Sequence, residues 1–391
     1  MTYSVTSWFV DQAALENPPV KRTFTIAGSD YSDYVLGWPT INSRWDELRP
    51  NNVTINLANE DQTFNFFKTA KTNVQAQCEV KLGFTHPTSG DELISLFAGT
   101  VGEISFRDAS VDLRLIDKVQ QLSDRIVGTS NSAAVFRNST LLPSDIAWTL
   151  CTCYGGWSNL TSTSNPDIDY SNFQLWASIF SNDSVYAQAS FSGQKVTEAL
   201  RKVMQNTHSA AFIVNNKLTF ARWTLVNSYP VTLDNDKIKT LGVKVRADSL
   251  INKQWVEFSY NVGSGNWEKS VYAINSESVN SYGIRETVMK DESFWYVSSA
   301  NALNIAERSV FVNASPYDEV SFTTPLTPLH QTVGGTIIAV DSHLSLNDGW
   351  RIMAMAVNVD DASITMEIDG SQSRIPFTLD ISSLDGTDIL T

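Results

Sequence analysis

Strict two-residue alternation governs the stretch Leu96–Asp117, LFAGTVGEISFRDASVDLRLID, and it constrains the fold more than any other feature of the chain. Val111, Leu113 and Leu115 fall on one face, Asp112 and Arg114 on the other. Ile104 and Phe106 alternate with Glu103 and Ser105, and RDAS supplies a polar bend. Such alternation bounded by turn residues marks a half-buried antiparallel hairpin. The next segment, KVQQLSDRIVG, loses the period at Lys118.

The same pattern recurs through residues 1–120. KRTFTIAG, NNVTINLAN and NVQAQCEVKLGFT each alternate, with GSDYSD and HPTSGD between runs. Five or six strands at this spacing predict a small barrel or sandwich. Residues 121–208 change character. LPSDIAWTLCTCYGG carries Pro143 near its start, Ile146, Ala147, Leu150 and Cys151 at helical spacing, and a Gly155-Gly156 stop. Phe173, Trp176 and Phe180 keep a helical face, as do Val196, Leu200, Val203 and Met204. This is a helical, loop-rich insertion. Alternation resumes over 209–370. AAFIVNNKLTFARW turns at Asn215-Asn216, and INKQWVEFSYNVGSGNWEKSVYAIN forms another hairpin. One helix follows, with Leu303, Ala306 and Val310 on a face, then DEVSFTTPL, GGTIIAVD, RIMAMAVNVD and SITMEIDG. Residues 371–391 form a polar C-terminal arm. The expected fold is mainly β with a helical insertion (α+β), built on two barrel domains. Both domains close on a hairpin turned by D-A-S (Asp108–Ser110, Asp361–Ser363), an echo that raises divergent duplication.

With 391 residues, the chain exceeds what one core supports. Its 11 Trp, 12 Tyr and 19 Phe can fill more than one core. The net charge of −14 argues against gripping phosphates, and basic spots such as Lys68–Lys71 and Lys237–Lys244 are isolated. DNA passing an acidic wall without adhesion is compatible with it. The N-terminus MTYSVTSWFVDQ has no secretory pattern, and no run of about 18 apolar residues occurs. Cys78, Cys151 and Cys153 read as free thiols of a protein assembled in a reducing cytoplasm, because C-x-C plus one remote cysteine lacks zinc spacing.

No catalytic constellation is expected: no catalytic, cofactor-binding or metal residue is assigned. His86, His208, His330 and His343 form no metal or nucleophile pattern, and no Walker loop, G-x-S-x-G elbow or dinucleotide fingerprint occurs. Gly334–Thr336 opens a strand and serves a tight turn. The acidic pairs Asp91/Glu92, Asp291/Glu292, Asp318/Glu319 and Asp360/Asp361 could serve a glycan hydrolase, but they read as solvated loop acids. Trp148, Trp157, Trp176, Trp223, Trp255, Trp267, Trp295 and Trp350 are scattered, which favours packing over sugar stacking.

The run Leu93–Gly128, a hairpin closing into DKVQQLSDRIVG, resembles the end of the first tube-like domain of bacteriophage tail hub (baseplate or tail-tip hub) proteins. ALNIAERSVFV followed by DEVSFTTPLTPLHQTVGGTIIAV resembles the hub pattern of helix, strand, loop and Gly-preceded strand. The resemblance covers about residues 20–125 and 195–368. It implies a structural virion protein at the tail tip, a homotrimer whose paired barrels make a pseudo-sixfold ring. That ring closes or extends the tail tube, serving host attachment and genome ejection. The implied partners are the chain itself, the distal tail protein, the tape measure and a fibre or receptor-binding protein, with DNA traversing the lumen unbound. The four-cysteine iron–sulfur site of some tail-tip hubs does not carry over to three unsuitably spaced cysteines. A distal tail or fibre-adapter protein, a cell-surface glycan hydrolase and a carbohydrate-binding module are the alternatives.

Overall fold

The computed structural model describes residues 3–45, 48, 50–69, 75–222, 231–342, 346–369 and 380–384. It is mainly β, with two seven-stranded sheets curled into barrel-like walls. In barrel 1 the sheet begins at Ser29–Asp30 and runs through Val20–Ile26, Gln77–His86, Gly90–Phe106, Ser110–Asp117 and Asn52–Ala58 to Val35–Gly37. The two edge strands are consecutive in the chain, so the short link 31–34 draws opposite edges together. Aromatic packing holds that link: the rings of Tyr31 and Tyr34 lie 5.2 and 5.3 Å from buried Phe64. The hairpin over Leu96–Asp117 is the centre of this wall. Ile104 stands opposite Leu113 and Phe106 opposite Val111, and Val111, Leu113 and Leu115 have no solvent exposure.

Barrel 2 repeats the plan. Its sheet runs Thr232–Leu233, Thr336–Asp341, Leu346–Asn358, Ser363–Asp369, Tyr317–Thr324 and Lys239–Arg246. Five strands of each barrel correspond in chain order: 35–37 with 239–246, 52–58 with 317–324, 77–86 with 336–341, 90–106 with 346–358, and 110–117 with 363–369. Across both sheets the order is third, fourth, fifth, second, first. The correspondence reaches single residues. The fourth strand is bulged between Val101 and Glu103 in barrel 1 and between Ile352 and Ala354 in barrel 2, against Leu115/Arg114 and Ile368/Glu367. Gln75 N–H donates to the Val101 carbonyl at 2.8 Å, and Gly334 N–H donates to that of Ile352 at the same distance. Both donors have positive φ, 96° and 78°. The D-A-S triplets sit in the same turn, between fourth and fifth strands, although the second turn is two residues longer: four residues separate Phe106 from Val111, and six separate Val357 from Ile364. A bulge conserved in place and pairing is a specific backbone feature, so the likeness exceeds shared turn chemistry.

The barrels are joined by backbone pairing. Thr40–Arg44 leaves barrel 1 and adds an antiparallel strand to the fourth strand of barrel 2, with Ile41 opposite Val357 and Arg44 opposite Ala354. Trp45 N–H donates to the Met353 carbonyl at 2.7 Å, Arg44 pairs with Glu367 at 3.1 Å, and Arg22 Nε donates to the Val359 carbonyl at 2.6 Å. The apolar interiors of both barrels form one continuous cluster.

A second core lies beside them. Helices Pro143–Thr149, Tyr170–Asn182 and Val196–Asn206 bury Ile146, Trp176, Phe180, Leu200 and Val203 against the hairpin Ser209–Val214/Lys217–Arg222. That hairpin turns at Asn215 and Asn216, both with positive φ (49° and 59°), as their sequence predicts. This core draws residues from each of the stretches 1–120, 121–208 and 209–370. Hairpin Lys253–Asn261/Asn266–Ile274 and helix Ser299–Asn313 join the helical core and not barrel 2. Alternation shows that a strand has an apolar face, but not which core that face meets. The helix buries Ala302, Ile305, Ala306 and Val310, with Leu303 at the margin. Of the expected C-terminal arm, Asp380–Leu384 pairs with Ile274–Ser270, and the rest lies outside the described residues.

Candidate functional site

Adjacent residues of a strand point to opposite faces, so Asp91/Glu92 and Asp318/Glu319, both within strands, cannot flank one scissile bond. Their bonds serve the fold. Both Glu92 carboxylate oxygens accept from Thr6, one from its N–H and one from its hydroxyl, each at 2.6 Å, and Asp91 accepts from Thr85 at 2.6 Å. Glu319 accepts from Arg246 Nε at 2.7 Å. Asp291 holds Ser293 N–H at 2.9 Å and Lys202 at 3.4 Å, and Asp361 takes the Asn358 amide at 2.6 Å. Among the described residues, no three His, Cys, Asp or Glu side chains gather to hold a metal ion.

The histidines are dispersed. His86 Nδ1 accepts the N–H groups of Thr88 and Ser89, His330 is buried, and His343 lies outside the described residues. His208 has φ +48° and packs near Arg222 and Arg308; burial, reinforced by those two cations, holds its pKa down to about 4. Between an unfolded value near 6.5 and about 4, the unfolded chain binds the extra proton, so stability present above the upper value is lost as pH falls through this window. Replacing His208 with Asn, which tolerates positive φ, is expected to flatten the loss of stability between about pH 6.5 and 4 in urea titrations. An unchanged pH slope would contradict it. Asp117, buried and accepting Asn51 N–H at 2.9 Å, has its pKa pushed up to about 6 by burial and works in the opposite direction. Cys78 and Cys151 are buried and burial raises both thiols, Cys78 to about 12; neither is poised as a nucleophile, and Cys153 is exposed.

Among the described residues the tryptophans are dispersed, although Trp45 and Trp176 border one pocket beside Phe220 and Arg351. Trp157, Trp176, Trp295 and Trp350 are buried, Trp255 packs on Tyr272 at 4.6 Å, Trp267 packs on Tyr260 at 4.8 Å, and Trp148 packs on Phe173 at 5.1 Å. Trp223 lies outside the described residues.

What the molecule does offer is strand edge. Lys239–Arg246 ends the sheet of barrel 2, with Val243 37% and Val245 66% exposed. Beyond the bulge, Glu103–Phe106 pairs on one side only among the described strands. Such edges are templates for further strands.

No protein-family model matches this chain, and no curated protein sequence does. Solved structures match over most of its length. The 43 kDa tail protein of prophage MuSo2 from Shewanella oneidensis aligns at a TM-score of 0.56 and 13% identity, covering 90% of this chain and 99% of its own. The tail protein from Neisseria meningitidis MC58 aligns at 0.56 and 10%, covering 90% and 96%. The fold is that of phage tail proteins. Prophage tail protein gp18 from Listeria monocytogenes EGD-e shares it at 0.51 and 12%, covering 90% and 95%. Within this tail-protein fold, the feature that alternation did not expose is Thr40–Arg44. Its signal in the sequence is indirect: R-W-D-E-L at Arg44–Leu48 is echoed by R-A-D-S-L at Arg246–Leu250.

Proposed function

We propose that this chain is a structural hub of a phage tail. It acts as a homotrimer whose six barrels form a pseudo-sixfold ring that closes or extends the tail tube at the tip. The observation that carries this reading is the residue-level likeness of the barrels: one chain holds two barrels that share the order of five strands, the place of a bulge in the fourth, and a D-A-S turn between the fourth and fifth. A sixfold tube can therefore be met by three chains with a barrel at each of six places, which is the closed cyclic symmetry expected of oligomers. The helical core, common to neither barrel, supplies three copies of a different surface for threefold partners such as a fibre or receptor-binding protein. The ring's other faces take the distal tail protein and the tape measure. The role is mechanical and not catalytic. With a net charge of −14, a lumen lined by this chain passes DNA without holding it. No helix among the described residues is long and apolar enough to cross a membrane. The chain is proposed to assemble in the host cytoplasm and to end in the virion.

Imaging of assembled particles, with this chain tagged, tests the proposal. Three copies in one ring at the tail tip are expected. One copy, six equivalent copies, or a position away from the tip overturns it.

A further inference from the structure

The duplication makes the joint between the barrels a template for a joint between chains. Barrel 1 sends Thr40–Arg44 onto the fourth strand of barrel 2, covering Ala354–Asn358. Residue correspondence identifies the matching pieces. Gly37 stands opposite Asn56, Lys239 stands opposite Thr323, and Asn56 and Thr323 are equivalent positions of the second strand. Counting forward from there, Thr40–Arg44 falls on Gly242–Arg246, and R-W-D-E-L falls on R-A-D-S-L, with Leu48 and Leu250 both buried. The shared bulge likewise places Glu103–Arg107 on Ala354–Asn358.

Burial differs between the matched pieces as a missing strand requires. Met355 and Val357 are 7% and 2% exposed under the added strand, whereas Ile104 and Phe106 are only half-buried. Ile41 is 4% exposed in its joint, whereas Val243 is 37% exposed. Gly242–Arg246 stays paired with Tyr317–Ser321 in its own barrel, as Thr40–Arg44 does not, and its outer edge carries no further strand among the described residues; each chain therefore carries one satisfied joint and two strand edges that match its halves.

We propose that Gly242–Arg246 of one copy pairs antiparallel with Glu103–Arg107 of a second copy, in the register of the internal joint. This rests on the ring reading above and names its interface. Transferring the register sets Glu103 opposite Arg246, Ile104 opposite Val245, Ser105 opposite Lys244, Phe106 opposite Val243 and Arg107 opposite Gly242. The chemistry is complementary. Two apolar pairs meet on the barrel face, and an acid meets a base on the outer one. Arg246 holds Glu319 at 2.7 Å and Arg114 reaches Glu103 at 3.6 Å, so the new pair joins an existing charge network. Lys68, whose ammonium lies 4.3 Å from the centre of the Phe106 ring, moves aside as Val243 arrives. The contact is head-to-tail, so it closes only as a ring.

Cysteine cross-linking of the full chain tests it. In a Cys153→Ser background, chains carrying Ser105→Cys are mixed with chains carrying Lys244→Cys and oxidised. A 105–244 disulfide between chains is expected by peptide mapping, and the doubly substituted chain is expected to yield a covalent series ending at three. Ile104→Cys with Lys244→Cys is the off-register control, because a one-residue slip turns side chains to the other face. A trimer by mass photometry with no 105–244 bond, or with the bond at 104–244, overturns this interface and leaves the ring standing. A chain that stays monomeric and uncrosslinked at the highest soluble concentration overturns both.

Discussion

Replacing Gly334 with alanine is expected to destabilise the protein by about 2–4 kcal/mol, measured by urea unfolding. Two causes combine. The residue has φ +78°, and a Cβ there would stand 2.9 Å from Cε3 of Trp45 and closer still to Cζ3. The indole borders a pocket beside Trp176 and Phe220, but it is anchored. It is 7% exposed, packs on Phe212 at 6.1 Å and under the Arg351 guanidinium at 5.0 Å, and its backbone N–H is tied to Met353. The duplication indicates which cause dominates. At the equivalent place in barrel 1, Gln75 adopts φ 96° with the same hydrogen bond, so the backbone shape alone admits a side chain. Trp45 is what requires glycine at 334. Gly334→Ala made in a Trp45→Ala background should then cost only about 1 kcal/mol. The double-mutant cycle measures the difference as coupling. Equal costs in both backgrounds would assign the glycine to backbone conformation and refute the steric account.

The same pair marks the limit of what alternation reveals. The strands around Val111, Leu113 and Leu115, the Asn215-Asn216 hairpin and the helix with Leu200 and Val203 were legible, because each is specified by residues close in sequence. Gly334 was legible as a turn residue and no more. Its need for glycine comes from Trp45, which is remote in the chain and reaches it through Thr40–Arg44. That strand shows weak alternation, since only Ile41 is buried among five residues. Its stability comes from an edge in the other barrel. The placement of hairpin 253–274 was hidden for the same reason, as its apolar face matches either core equally well. The D-A-S echo, by contrast, was visible as a repeated triplet. It acquired meaning only when both turns proved to join the fourth and fifth strands of matching sheets. The candidate surface follows that division: Val243 and Val245 read as ordinary strand residues until the sheet order puts them on an edge.

Replacing Ile41 with aspartate is expected to release the joint between the barrels at a cost of about 3–5 kcal/mol. Ile41 is 4% exposed and stands opposite Val357, so the substitution removes a buried aliphatic group and sets a carboxylate in the apolar cluster of the barrels. The five-residue strand contributes no other buried side chain, and the ion pair of Arg44 with Glu367 is solvent-exposed and weak. The barrels differ in what they lose. Barrel 2 is left with Ala354–Asn358 unpaired on one side, whereas Val111, Leu113 and Leu115 in barrel 1 keep their own partners in Asn52–Ala58 and Gly90–Phe106. Hydrogen exchange read by mass spectrometry should therefore show protection falling first at residues 354–358, with 110–117 still protected. A bare edge also recruits strands, so the variant should self-associate more readily than the parent. Uniform loss of protection across both barrels would mean that the joint cannot open separately from the cores. The internal joint would then be part of one cooperative unit, and a poor guide to a contact that must form between separately folded chains.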